Sequence, residues 1–332
     1  MIFLKKIQKV CKYRGKIKYI KLSTSGKLVI SGEHAVMHGY SAISMAINQR
    51  MFVKITQIYE NDDIEIKSNI FGKKKFKKCE LQEDWSKQIS FLVKTLSRSG
   101  LKINITSKIK NYGFGSSGAL FTCIAFGLLK INDIANGKKN VKDEEYFVKI
   151  LELYKKYNLL HNNNNDTFKP SGIDIATSFF GGIIYFSPTN YFVEKIKTDW
   201  IIQGITAIYT GKKTSILSVM SAINENKYTD LIYKQIGDIV DELKIAIQKH
   251  NHKEIDDLIK KNQLLLQKLN LVDDDIEDIL HQCERQNVVA KISGSGLGDC
   301  VIAFKGNVKV KGYKSIKIQP DNSGITYKMK YK

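Results

Sequence analysis

The stretch from Lys110 to Leu120 constrains the chain most. A polar loop, Gly113-Phe114-Gly115-Ser116-Ser117-Gly118, runs straight into an apolar segment that continues to Leu129. That order predicts a sharp turn followed at once by a buried helix. Gly113 and Gly115 permit backbone angles closed to other residues and let a ligand approach the main chain. Ser116 and Ser117 fall where the helix begins. Free N–H groups and the positive end of the helix dipole meet there, which favours a phosphate. A serine N-cap on an ordinary glycine turn explains the same letters, so the neighbours of the loop have to decide between the two.

Hydrophobic spacing predicts strands in the segment before residue 24, at 27–31, 44–47, 51–58, 63–68 and 101–105, with a helix over 86–97. The loop helix runs from Ser116 to about Ile131, and a second helical region covers 142–159. A polar turn at 161–167 follows, then Pro170-Ser171-Gly172-Ile173-Asp174 and the strand-like 183–186. Past Pro188 the character changes. A strand is expected over 200–209, amphipathic helices over 228–249, 252–268 and 273–285, and strands over 288–293 and 300–304 around a glycine loop at 294–298. The fold class expected is α+β in two domains, 1–187 and 188–332.

The formal net charge of +20 comes almost wholly from lysine. It is spread along the chain, and arginine is scarce, which argues against a dedicated nucleic-acid groove. The one dense cluster, Gly72 to Lys78, reads as a solvated loop or hairpin tip. Five scattered cysteines without C-x-x-C spacing suggest neither a disulfide framework nor a zinc site, and a reducing, cytoplasmic setting is expected. The six histidines show no metal-ligand pattern, and no apolar run is read as a membrane span. The basic segment ahead of Glu33 lacks the core and cleavage site of a signal peptide. Homodimer formation is compatible with the sequence.

Four blocks then fall in order. They are Ser25-Gly26-Lys27 through Gly32-Glu33-His34-Ala35-Val36 to Gly39, Gly113 to Ser117, Pro170 to Asp174 with Ser178 and Gly181-Gly182, and Lys291 to Cys300. Together they resemble the GHMP kinases, and within that superfamily the mevalonate kinases. The resemblance spans residues 25 to about 304. It implies a ribosomal-protein-like N-terminal domain, a ferredoxin-like C-terminal domain and an active site in the cleft between them. It implies ATP as phosphoryl donor, magnesium (Mg2+) as cofactor and mevalonate as acceptor. Residue by residue, it implies that Gly113, Gly115, Ser116, Ser117, Gly118, Gly294 and Gly296 bind the phosphates and that Ser117 is a metal ligand. Asp174 would accept the proton of the substrate hydroxyl or orient it, and Lys27 would stabilise the charge in transfer. Glu33, His34 and Ser171 would bind the substrate, with Glu33 and His34 serving its hydroxyl and carboxylate ends.

Some positions depart from the family pattern. Gly118 replaces an alanine, and Asp299 stands where glycine is usual, setting a negative charge near a phosphate loop. The register of a second magnesium ligand falls on Asn163, with Asp166 as a substitute. Three rival readings stay open on the sequence: phosphomevalonate kinase or another kinase of the superfamily, a nucleotide-binding protein without catalysis, and a nonspecific binder of nucleic acid.

Overall fold

Two long antiparallel strands, β1 (Ile17–Ser31) and β2 (Ala42–Ile58), form the spine of the first sheet. The structure, a computed structural model, describes residues 17–78, 86–138, 141–161, 170–198, 200–201, 204–214, 216–223 and 227–332. Each spine strand merges two runs that hydrophobic spacing separates. The seam in β1 is a register shift between Ser25 and Gly26. A β-carbon on Gly26 would lie 2.6 Å from the Phe114 carbonyl oxygen, and the Lys27 amide donates to that same oxygen at 2.9 Å. The irregularity thus turns the strand toward the loop ahead of Ser116 without ending it.

The remaining strands of this sheet are β3 (Asp63–Ser68), β4 (Gly72–Lys77), β5 (Gly100–Ser107), β6 (Ile183–Ser187), β7 (Phe192–Ile196) and β12 (Thr326–Tyr331). The order is β12-β1-β2-β5-β3-β4, with β6 and β7 continuing from the first half of β2. The lysine-rich 72–78 segment is therefore mostly a paired strand rather than a loop tip. Helices α1 (Lys87–Leu96), α2 (Ser116–Ala135), α3 (Asp143–His161) and α4 (Ile173–Phe180) belong to this part of the chain. Helix α2 is long and apolar enough to cross a membrane by length and composition, against the reading that no run reaches that size. Most of it is buried against β1, β2 and the neighbouring helices, so it serves as the core helix of this layer.

A second sheet has the order β11-β8-β10-β9, built from β8 (Ile205–Tyr209), β9 (Ala290–Ser293), β10 (Cys300–Ala303) and β11 (Lys314–Ile318). Strand β8 starts at Ile205 rather than near Trp200. Trp200 instead stacks on Phe304, 5.0 Å between ring centres. Helices α5 (Ile216–Ala222), α6 (Lys227–Gln248), α7 (His252–Lys268) and α8 (Asp274–Glu284) follow β8, and α7 and α8 pack on the sheet. The architecture is α+β.

The sheets do not divide the chain at residue 187, because β7 and β12 lie beyond that point yet belong to the first sheet. Short-range pattern cannot reveal a return of that kind. Arg50 fixes it physically. The guanidinium donates to Ser23 Oγ at 2.8 Å, to the Ser23 carbonyl at 3.0 Å and to the Gly324 carbonyl at 2.7 Å, and it pairs with Asp321. Replacing Arg50 by Ala should destabilise the fold by about 3 kcal/mol, since Asp321 and two carbonyls lose a shared donor. Arg50→Lys should recover only part of this, because an ammonium cannot reproduce the fork. Urea unfolding midpoints of the two variants check both statements.

Candidate active site

The loop before α2 closes on charged side chains. Helix α2 begins after Gly115, which has φ 68°, and no side chain caps it. Its first N–H groups therefore lack the serine cap that a plain turn would supply, and a helix start of this kind can receive an anion. A β-carbon on Gly115 would sit 2.8 Å from Lys27 Cγ, and one on Gly118 would sit 2.6 Å from Asp174 Cβ. The bare backbone thus lets both side chains lie directly against the loop. The Lys27 ammonium is 3.1 Å from Asp174 Oδ1. Lys27 is almost fully buried, whereas the Asp174 side chain keeps 30% of its exposure and can meet a ligand.

Asp174 stands in the first turn of α4, where a carboxylate is favoured by the helix dipole. That helix is stitched to the spine strands. The Thr24 hydroxyl donates to the Ser178 carbonyl, Ser178 Oγ donates to the Ser25 carbonyl at 2.9 Å, and the Ser44 and Thr177 hydroxyls bond at 2.5 Å. Lys27 and Asp174 are thereby held on two elements that cannot slide apart.

Beside the pair lies a cavity of about 130 Å³, whose walls include Lys27, Glu33, His34, Tyr154, Ser171 and Asp174. One wall depends on the second sheet. Ser293 Oγ bonds both the N–H and the carbonyl of Val29, at 2.9 and 3.0 Å, so β9 docks on β1. The Lys291 ammonium, also on β9, pairs with Glu33 Oε1 and donates to the Ile292 carbonyl at 2.6 Å. Both charged side chains are wholly buried. Burial pushes the Glu33 carboxyl up and the Lys291 ammonium down, each toward its neutral form, and their mutual attraction opposes both. Glu33 Oε2 is buried with no partner.

His34 follows in a left-handed conformation, φ 58°. Its Nε2 lies 2.7 Å from the Ser295 carbonyl, which can only accept, so Nε2 carries the proton. Nδ1 is then an acceptor, and it too is buried without a partner. Burial lowers the His34 pKa to about 4. The ring is neutral at physiological pH and suits a hydroxyl better than a carboxylate.

Residues 243–308 match the family model described as GHMP kinases C terminal. The mevalonate kinase of Methanocaldococcus jannaschii is 30% identical over 315 residues, which span 87% of this chain and 93% of that protein. The chain belongs to the GHMP kinases. It is therefore a small-molecule kinase, similar within the family to mevalonate kinases, and ATP use follows from the family. The crystal structure of the Methanococcus jannaschii mevalonate kinase superposes with a TM-score of 0.69 at 26% identity, covering 93% of this chain and all of that one. Streptococcus pneumoniae phosphomevalonate kinase, in complex with phosphomevalonate and AMPPNP, reaches 0.68 at 17% identity over 91% of this chain and 99% of that one. That second likeness is one of fold alone.

In this GHMP kinase the other expected residues fall as follows. Ser171 is on the cavity wall, and its Oγ accepts from the Ile173 amide at 3.3 Å. Ser116 opens α2, and Ser117 Oγ accepts from Gln88 Nε2 at 2.6 Å. Gly294 lines the cavity with open space where its side chain would be, whereas Gly296 backs onto Leu271. Asp299 is buried with its side chain against Gly113. Its Oδ1 lacks a partner, and burial raises its pKa. Lys213 donates to Asn111 at 2.7 Å beside the glycine loop, but Lys212 turns away to Asp273 and Asp275. Asn163 and Asp166 lie outside the described residues. Among the described residues no group of three or more His, Cys, Asp or Glu side chains is arranged to hold a metal. The sequence reading missed the work of Lys291, Gln88 and Tyr154. For Lys291 the signal was present, since it opens the last of the four blocks.

Lys291→Met should cost about 3 to 5 kcal/mol in denaturant unfolding, because it strands the Glu33 carboxylate in a dry site. The double variant Glu33→Gln with Lys291→Met should recover much of that loss. His34 gives a pH dependence. Above about pH 6.5 the ring is neutral in the folded and unfolded chains alike. As pH falls from there to about 4, only the unfolded chain takes up the proton, so stability drops, by about 3 kcal/mol in all. Unfolding free energies of wild type and His34→Asn, measured from pH 7 to 4, should move apart by about that total across the range.

Proposed function

We propose that the protein transfers the γ-phosphoryl group of ATP to the primary hydroxyl of mevalonate, giving ADP and phosphomevalonate. The observation that carries this reading is the Lys27–Asp174 pair, 3.1 Å apart, set between the uncapped start of α2 and the cavity. Phosphoryl transfer to an alcohol needs a held phosphate chain, neutralised charge and an aligned hydroxyl. The N–H groups of the loop hold the phosphates. Asp174 accepts the hydroxyl proton as the new O–P bond forms and the bond to the ADP oxygen breaks, or orients that hydroxyl for attack. Lys27 supports the Asp174 carboxylate and offsets charge on the transferring group.

The acceptor is matched by the two orphaned acceptor atoms at the cavity wall, Glu33 Oε2 and His34 Nδ1. Buried acceptors of this kind fit a hydroxylated ligand that donates to them. Lys27 is the one cationic side chain among the described lining residues, and it is engaged with Asp174. That favours mevalonate over an acceptor already carrying a phosphate, which would need cations of its own.

Magnesium fits the same reading. Ser117 offers a hydroxyl oxygen on the first turn of α2, beside the phosphate loop, and a hard cation that keeps several waters needs few protein ligands. The ion would neutralise charge on the phosphate oxygens.

Asp174→Asn should lower kcat by about 10² to 10⁴, while nucleotide affinity stays within about threefold. A coupled ADP-release assay and calorimetric titration with a nonhydrolysable ATP analogue measure the two quantities. Full turnover in this variant would sink the assignment of Asp174. Wild-type turnover with phosphomevalonate, galactose or homoserine, but not mevalonate, would overturn the acceptor and keep the kinase.

A further inference from the structure

The first sheet has two unlike faces. Strand alternation sends Leu22 and Ile55 against Gly127 of α2, on the covered side. Their neighbours Lys21 and Lys54 point the other way. The register there builds a continuous row across six strands. Lys328 stands opposite Lys21, Lys21 opposite Lys54, Lys54 opposite Asn104, Asn104 beside Lys67, and Lys67 opposite Lys73. Four of these lysines are exposed and Lys54 is half-buried. At about 4.8 Å per strand the row is about 24 Å long.

Like charges directly opposite one another on a sheet cost stability. Here nothing offsets them with opposite charge. None of the five lysines enters a salt bridge among the described residues, whereas in the adjacent row Glu65 pairs with Lys75 and Lys102 at 3.8 and 3.1 Å. The contacts that do occur are with an aromatic ring. The Lys21 and Lys54 ammonium groups lie 5.6 and 4.5 Å from the centre of Tyr19. Phe52, on the other side of the row, keeps 39% of its exposure. Positive charge that is spread evenly along the sequence is thus gathered by strand register into a single line.

We propose that this lysine row is a binding track for single-stranded nucleic acid. A linear string of phosphates matches a line of ammonium groups one residue wide, and Tyr19 and Phe52 flank that line where bases can stack. A bilayer presents a plane of charge instead, and it would meet the neutralised Glu65 row and little exposed apolar surface. The track lies on the sheet face away from Lys27 and Asp174, so kinase turnover does not depend on it.

The test is fluorescence anisotropy with labelled oligouridylate and oligothymidylate between about 50 and 200 mM salt. Five phosphate contacts predict a slope of log K against log salt of about −3.5. Lys21→Gln with Lys54→Gln should weaken binding at least about tenfold at low salt and reduce the slope to about −2. Lys67→Gln with Lys73→Gln, at the other end of the row, should do the same. Lys309→Gln with Lys314→Gln carries the same change in net charge on another part of the molecule and should alter affinity less than about twofold. Equal losses in all three double variants would mean that overall charge alone is at work and would overturn the proposal. So would row-dependent binding of phosphatidylserine vesicles without binding of either oligonucleotide.

Discussion

Lys291 and Glu33 meet in a region that water does not reach, and the rest of the site is arranged around their contact. The ammonium comes from the second sheet and the carboxylate from the turn after β1, so the pair joins the two layers by charge where Ser293 joins them by hydrogen bonds. An ion pair without solvent tolerates little misalignment, because the loss of either partner leaves a bare charge in a low-dielectric setting. The turn that carries Glu33 also carries His34, whose ring is fixed by the carbonyl of Ser295. One side of the cavity is therefore a joint product of both sheets. The first sheet alone supplies Lys27 and Asp174 with their support, but it does not supply the wall formed by Gly294 and Ser295.

The glycine loop before α2 shows what missing side chains make possible. Its glycines make room for residues from elsewhere in the chain. Lys27 lies against Gly115, Asp174 against Gly118 and Asp299 against Gly113. Two of these side chains bear on the proposed chemistry. The third brings a carboxyl group whose burial holds it toward the protonated form, which reduces the repulsion expected between an aspartate and a phosphate site.

Local chemistry carried the sequence reading a long way. The helix at 252–268 is legible from its regular apolar period, and in the structure Asn251 caps it. The loop before α2, Lys27 and Asp174 were legible as separate pieces, and the structure brings them together. The remainder lay in contacts between distant segments. Spacing split β1 and β2 because a register shift looks like a strand end in one dimension. The expectation of a loop or hairpin tip at 72–78 fails because a sheet-edge strand rich in lysine has the composition of a loop. Lys291 opens the last of the four blocks, yet its partner is 258 positions away. Charge that is even along the chain is gathered in space by the pairing register.

Strand β12 has a consequence for how the molecule is made. It pairs with β1, but every element of the second sheet lies between them in the chain. During synthesis the outer edge of β1 emerges early and must wait, with its hydrogen-bonding groups open, until the second sheet has been produced. That interval exposes a template on which another chain could add a strand. The charged lysines along that edge, Lys18 and Lys21, suit the waiting period, since they discourage such pairing until Arg50 and Asp321 draw the returning segment into place.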